Sequence, residues 1–268
     1  MNGLDSITYF MEDAREASRL EEKVDPAAWV SKYLAPYVRT GAELLSVGCG
    51  PGVILQAAAA LHPGVKGTGL DISADRIQDA VRRSGENQQV AFVQGDAQSL
   101  RFASNTFDLV YCRMLLEYLP RKEAAVAEMV RVCKPGGRVL LQDLDGQLLW
   151  HYPEDPTMQR GVEAVVAALS AGGFDPYVGR KLFWFAQNAG LSNVNVQAES
   201  YHLIAGAVSH RILKQWELKL DIAKPQMSKA LGSEAQAEEQ IQRFLAYLCR
   251  PDTLTYSTVF TVTGEKPC

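Results

Sequence analysis

Three glycines at alternate positions, Gly48, Gly50 and Gly52 in "LLSVGCGPG", give the chain a stretch of backbone with almost no side chain. A turn of this kind directly behind an apolar run lets a ligand approach the main chain closely. A phosphate-gripping loop would need Gly-Lys-Ser/Thr after the turn, and Pro51-Gly52-Val53 stands there instead. A dinucleotide turn would need a third glycine three residues after the second, where Val53 stands. Asp71 ends the next apolar run at a spacing that suits the ribose of either NAD or an adenosyl ligand. The glycines and this acid leave the choice of ligand open.

The elements that must position these residues follow from periodicity. "AELLSVG", "VKGTGLD", "QVAFVQGD", "FDLVYCR" and "GRVLLQD" are short apolar runs ended by polar residues, and helical patterns separate them. Strands alternating with helices at this spacing predict an α/β fold, a doubly wound and mostly parallel sheet covered on both faces. Asp25-Pro26 opens one helix, a cap residue before proline at the first helical position. After Asp145 the alternation gives way to amphipathic helices, then a sixth strand "NVNVQAESYHLI" and a last strand "LTYSTVFTVTG". Ser233, with Gln236 three residues on, forms a capping box between them. The expected organisation is one domain over residues 1–268, with an N-terminal helical lid over 1–40 and a cofactor-binding core over 42–145. Helical cap segments are expected over 146–190 and 204–253, inserted into a sheet of seven strands.

At 47% hydrophobic and 22% charged residues, with a net charge of −4, the 268-residue chain has the make-up of a soluble globular enzyme. No positive field recruits nucleic acid or an anionic membrane. The most basic tract, "RILKQWELKLDIAKPQMSK", carries Glu217 and Asp221 among its cations and reads as a solvated helix face. No window approaches the roughly 18 apolar residues of a membrane span, and the N-terminus has no signal-peptide pattern. Five scattered cysteines without a C-x-x-C pair point to a reducing compartment, the cytoplasm, and away from disulfides or a zinc site.

The later strands narrow the choice of ligand. "VQGDAQSL" puts Asp96 at the tip of the third strand, "FDLVYCRMLLEYLP" forms the fourth, and "RVCKPGGRVLLQD" leads into the fifth. With the glycine turn and Asp71, this ordered set resembles the S-adenosylmethionine-dependent methyltransferases of the Rossmann-like class, and within them the small-molecule, ubiquinone- and sterol-type branch. It covers about Ala42 to Asp143. The resemblance implies that Gly48, Cys49 and Gly50 expose backbone to the methionine part of the cofactor. It implies that Asp71 accepts from both ribose hydroxyls while Ile72 packs on the adenine. Asp96 would hold the adenine amino group, the N–H of Ala97 a ring nitrogen, and backbone at Cys112 or Arg113 the cofactor's amino group. Tyr9 and Arg19 match an N-terminal pattern that covers the cofactor in similar enzymes. Where that family has an acid two residues before the first glycine, as in "LDVGCG", this chain has Ser46. A neutral hydroxyl implies a weaker hold on the ammonium group, and Ser46→Asp is expected to tighten binding.

Methyl transfer from a sulfonium needs alignment more than acid–base machinery, and a base only where the accepting atom carries a proton. Tyr9, Glu117, Tyr118, Asp145 and His151 are the candidates. For Glu117 and Tyr118 the alternative is a helix start and a packing ring, and for His151 a loop histidine. A small-molecule methyl acceptor is the expected partner. The competing readings are methylation of a protein or nucleic acid, and cofactor binding without transfer.

Overall fold

The computed structural model describes residues 24–268; Tyr9, Arg19 and the lid helix expected ahead of residue 24 lie outside them. The first half runs α1 (Pro26–Tyr33), β1 (Glu43–Val47), α2 (Val53–Ala59), β2 (Lys66–Asp71), α3 (Ala74–Ser84), β3 (Val90–Gln94) and β4 (Phe107–Arg113). Next come α4 (Lys122–Val132), β5 (Cys133–Tyr152), α5 (Pro156–Ala171) and α6 (Leu182–Asn188). The chain closes with β6 (Ser192–Ala205), α7 (His210–Leu231), α8 (Glu234–Leu248) and β7 (Leu254–Glu265). Asp25 caps α1, accepting from the Ala28 N–H at 3.0 Å, and Ser233 caps α8, accepting from the Gln236 N–H at 3.2 Å.

The seven strands lie in the order β3-β2-β1-β4-β5-β7-β6. The first five are parallel, and β7 runs antiparallel to both neighbours. Strand order reverses between β1 and β4, which opens a crevice at their carboxyl ends. The central strands β1 and β4 read as near-continuous apolar runs because both faces are covered, whereas the edge strands β3 and β6 are half-buried to exposed along nearly their whole length. Leu45, Val47, Val110 and Leu141 pack toward α4 and α6, while Leu44, Leu109 and Leu140 pack toward α1 and α2.

Two expectations change here. The run "GRVLLQD" continues as strand to Tyr152, because β7 goes on pairing with it as far as Tyr152 opposite Leu254. With β6 these strands form an antiparallel arm beyond the parallel sheet. Leu182, Phe185 and Ala186 of α6 join the sheet's own core, so this part of 146–190 flanks the sheet rather than standing on the arm.

Beside the arm α5, α7 and α8 bury a separate apolar core, including Met158, Trp216, Phe244 and Tyr247. The basic tract falls on α7 and is only half solvated, since Trp216, Leu220, Ile222 and Met227 turn inward. Its outward cations pair with acids: Lys214 with Glu217, and Lys224 with Glu234 and Glu238. Among the described residues no helix is long and apolar enough to cross a membrane.

Candidate active site at the carboxyl edge of the sheet

The glycine turn is shaped by its neighbours. Two successive N–H groups, of Gly48 and Cys49, both bond the Leu70 carbonyl at the end of β2, at 2.7 and 2.9 Å. This forces left-handed backbone, with φ +69° at Gly48 and +53° at Gly50, which favours glycine. A Cβ on Gly48 would lie 2.9 Å from Leu115, so the turn after β4 closes tightly on this loop. A Cβ on Gly50 would meet nothing within 4 Å and would project into open space. One glycine allows packing; the other leaves a cradle.

Asp71 stands at the cradle's rim, nearly buried. Its Oδ2 accepts from the Gly50 N–H at 2.9 Å and its Oδ1 from the Ser73 N–H at 3.0 Å. The carboxylate therefore fixes the loop, and each oxygen retains a further lone pair. Next to it Ile72 is a large apolar side chain left 41% exposed. Asp96 sits at the end of β3 in a local turn, where its Oδ1 takes the Gln98 N–H and amide at 2.8 and 3.2 Å. Ala97 behind it is buried. Burial pushes the thiols of Cys49 and Cys112 far above their ordinary range, so neither is a thiolate at neutral pH.

Asp143, at the end of the parallel part of β5, was not singled out from the sequence. It is fully buried. Its Oδ2 gathers the N–H groups of Leu115, Leu116 and Glu117 at 3.2, 2.8 and 3.3 Å, and its Oδ1 takes that of Leu144 at 3.0 Å. One carboxylate thus serves the orphan donors of the short 3-10 turn Leu116–Tyr118 and holds Leu115 against Gly48. The signal in the sequence is an acid ending an apolar strand, as at Asp71.

Of the expected site residues, Gly48, Cys49, Gly50, Asp71, Ile72, Asp96, Ala97, Cys112 and Arg113 all fall at the carboxyl ends of β1 to β4 and in the turns that follow. Glu117, buried, and Tyr118, half-buried with its ring 5.5 Å from Phe174, follow β4 in the turn that touches Gly48. Two base candidates are placed otherwise. Asp145 gives both oxygens to the Arg180 guanidinium, with its shortest contact at 2.7 Å, and also accepts the Arg180 backbone N–H. That carboxylate is held in this ion pair with Arg180. His151 lies on the arm with its ring 5.7 Å from Phe244 and 5.4 Å from Tyr247, and its Nδ1 3.1 Å from the Thr255 hydroxyl. It packs with the core of the cap. Tyr9 and Arg19 lie outside the described residues.

On the α1 face of the same edge runs a buried polar chain. Trp29 Nε1 donates to Gln142 Oε1 at 2.8 Å, and Gln142 Nε2 donates to the Thr261 hydroxyl at 2.7 Å. The Trp29 ring stands 5.9 Å from that of Tyr111, which faces Ser46 across the β1–β4 pair. Among the described residues no cluster of His, Cys, Asp or Glu is placed to hold a metal ion.

A methyltransferase-domain family matches residues 45–141, from β1 through the parallel part of β5. An uncharacterized methyltransferase of the fission yeast Schizosaccharomyces pombe is 29% identical over 223 residues, 80% of this chain and 78% of that one. A demethylmenaquinone methyltransferase of Staphylococcus aureus is 36% identical over 104 residues, covering 38% of this chain and 43% of its own length. Among solved structures, phosphoethanolamine N-methyltransferase 2 of Haemonchus contortus with S-adenosyl-L-methionine superposes with a TM-score of 0.64. The match covers 99% of this chain and 61% of that one at 16% identity, a likeness of fold. The family match lies on the strands and turns that build the cradle, and the fold is shared with a cofactor-bound methyltransferase. The chain is an S-adenosylmethionine-dependent methyltransferase of the Rossmann-like class.

Proposed function

We propose that the acceptor is a small, partly apolar metabolite, methylated in line at the carboxyl edge of β1 and β4. The observation that carries this reading is the cap on the β5–β7–β6 arm. Its buried core of Met158, Trp216, Phe244 and Tyr247 holds the cap together beside the arm, and small-molecule pockets are lined mainly by apolar and aromatic side chains. A groove of about 240 Å³ along the arm, with Trp150, Tyr152, Met158 and Tyr256 among its lining, adds aromatic surface.

The cofactor supplies a methyl group already activated by positive sulfur. The chain then has to bind, orient and exclude water, and positioning alone lowers the barrier substantially. The residues present fit that task. Gly50 leaves open space at the turn, Asp71 has lone pairs for the ribose hydroxyls, and exposed Ile72 offers a surface to the adenine. Asp96 commits only one oxygen to Gln98, leaving the other for an amino group, beside the Ala97 N–H. Backbone at Cys112 and Arg113 closes the amino-acid end. Where the accepting atom carries a proton, Glu117 and Tyr118 are the groups beside the cradle that would take it. Of the lid expected over 1–40, the described part is sheet core instead, since Trp29, Val30, Leu34 and Val38 are buried against Leu44, Leu109 and Leu140. The segment ahead of residue 24, with Tyr9 and Arg19, would close over the mouth.

Asp71→Ala is expected to weaken S-adenosylhomocysteine binding by roughly 2–3 kcal/mol, the worth of charged hydrogen bonds to the ribose. Calorimetry that finds unchanged affinity removes Asp71 from the site. The acceptor class is tested with methyl-labelled S-adenosylmethionine and a cell extract split into metabolite, protein and nucleic-acid fractions. Label in the metabolite fraction is the expected result. Label confined to protein or nucleic acid would overturn the small-molecule reading.

A further inference from the structure

Arg113 is a charge without a counter-charge among the described residues. It closes β4 on the α1 face of the sheet, two residues beyond Tyr111, and pairs in register with Gln142 of β5. Its Nε is enclosed and has no hydrogen-bond partner among the described residues. No carboxylate among them pairs with it either. The groups in register beside it on this face are neutral. Ser46 lies across from Tyr111, the Tyr111 ring is buried, and the Gln142 amide is taken up by Trp29 and Thr261. Asp143, the nearest strand acid, alternates to the opposite face with Val139 and Leu141 and gives its oxygens to four backbone N–H groups. Arg113 is half-buried, and enclosing its Nε–H without an acceptor is costly.

The missing partner is a hydrogen-bond acceptor, and a carboxylate is the acceptor that a guanidinium binds best. In register, Cys112 lies beside Val47, so Arg113 follows directly where the chain turns into Gly48 and the cradle. The amino-acid end of S-adenosylmethionine carries that molecule's only carboxylate. We propose that Arg113 binds this carboxylate, so that the chain grips its cofactor through the negative group of the methionyl end and Ser46 leaves the guanidinium unneutralised. The proposal rests on the cofactor site assigned above. Arg113 acts as a positioning residue, since the methyl group travels from sulfur and not from this end.

Two ligands differing only in the carboxylate separate this reading from its rivals, with binding measured by calorimetry on the full chain. S-adenosylhomocysteine should bind the natural protein about 10- to 100-fold more tightly than its decarboxylated counterpart, the range expected for a charge-assisted bond. In Arg113→Met that ratio should fall to about one through loss of the first affinity alone, and Arg113→Lys should restore part of it. Ser46→Asp sets a competing carboxylate beside the guanidinium and should also shrink the ratio while weakening S-adenosylhomocysteine. This is the reverse of the tightening expected from sequence, and it tests the idea even if Arg113→Met does not fold. Equal affinities in the natural protein would overturn the proposal, as would a ratio that survives in Arg113→Met, or tighter binding with an intact ratio in Ser46→Asp. Absence of binding by either ligand would instead strike at the cofactor site itself.

Discussion

Asp143→Ala is expected to cost roughly 3–5 kcal/mol of folding stability, because each buried donor left without an acceptor costs about 1–3 kcal/mol. Four backbone N–H groups converge on this one side chain, and a methyl group can satisfy none of them. Urea unfolding of the two proteins measures the difference, and a loss below about 1 kcal/mol would mean that water replaces the carboxylate. The same residue gives a pH signature. Burial pushes its carboxyl up to about 7, against the pull of the four N–H bonds. The folded value lies above that of an unfolded aspartate, about 3.9, so the folded chain holds this proton more tightly. The resulting stability is full below about pH 4 and is lost as the pH rises through 7. The natural protein should therefore lose ground to Asp143→Asn between pH 5 and 8, as thermal melts at the two pH values would show. Because Asp143 fixes Leu115 against Gly48, the alanine variant should also bind cofactor more weakly wherever it remains folded.

Removal of residues 1–22 is expected to leave a folded sheet with turnover reduced on the order of 100-fold or more, the scale on which lost closure and positioning act. The buried core among the described residues is complete from Trp29 onward, on both faces of the sheet and on the arm. Asp25 and the helix it caps remain in the shortened chain. Cofactor affinity should drop only modestly, because Gly48, Asp71 and Asp96 are retained. Circular dichroism and a methyl-transfer assay, run on the same preparation once an acceptor is in hand, would check both halves. Full activity in the truncated protein would remove Tyr9 and Arg19 from the site and reduce the segment to packing.

What the sequence makes legible is whatever local pattern governs. The central strands β1 and β4 announce themselves as apolar runs buried on both faces, and the cradle as glycines and acids placed at strand ends. Asp25 and Ser233 declare their helices because a cap acts within three residues. Long-range partners leave no such trace. Trp29, Gln142 and Thr261 form one chain of hydrogen bonds across sequence separations of 113 and 119 residues. Asp143 reaches donors 26 to 28 residues back, and Asp145 is claimed by an arginine 35 residues ahead. Strand β5 outruns its apolar pattern for a similar reason, since its length is set by β7. The inward half of α7 was obscured by charges whose acidic partners stand on both sides of the helix end.

Strand β7 is twelve residues long and runs from the arm into the sheet without interruption. It pairs with β5 on one side and β6 on the other over nearly that whole length. A cap mounted on such a strip behaves mechanically as a cantilever rather than a door. To swing it away from the cradle, ladders on both sides of β7 would have to bend or break together, whereas a hinge needs only a few loop residues to rotate. Traffic of acceptor and product would then pass by way of the turns that follow β1 and β4. The release rate should respond to changes there far more than to changes in the packing between α7 and α8.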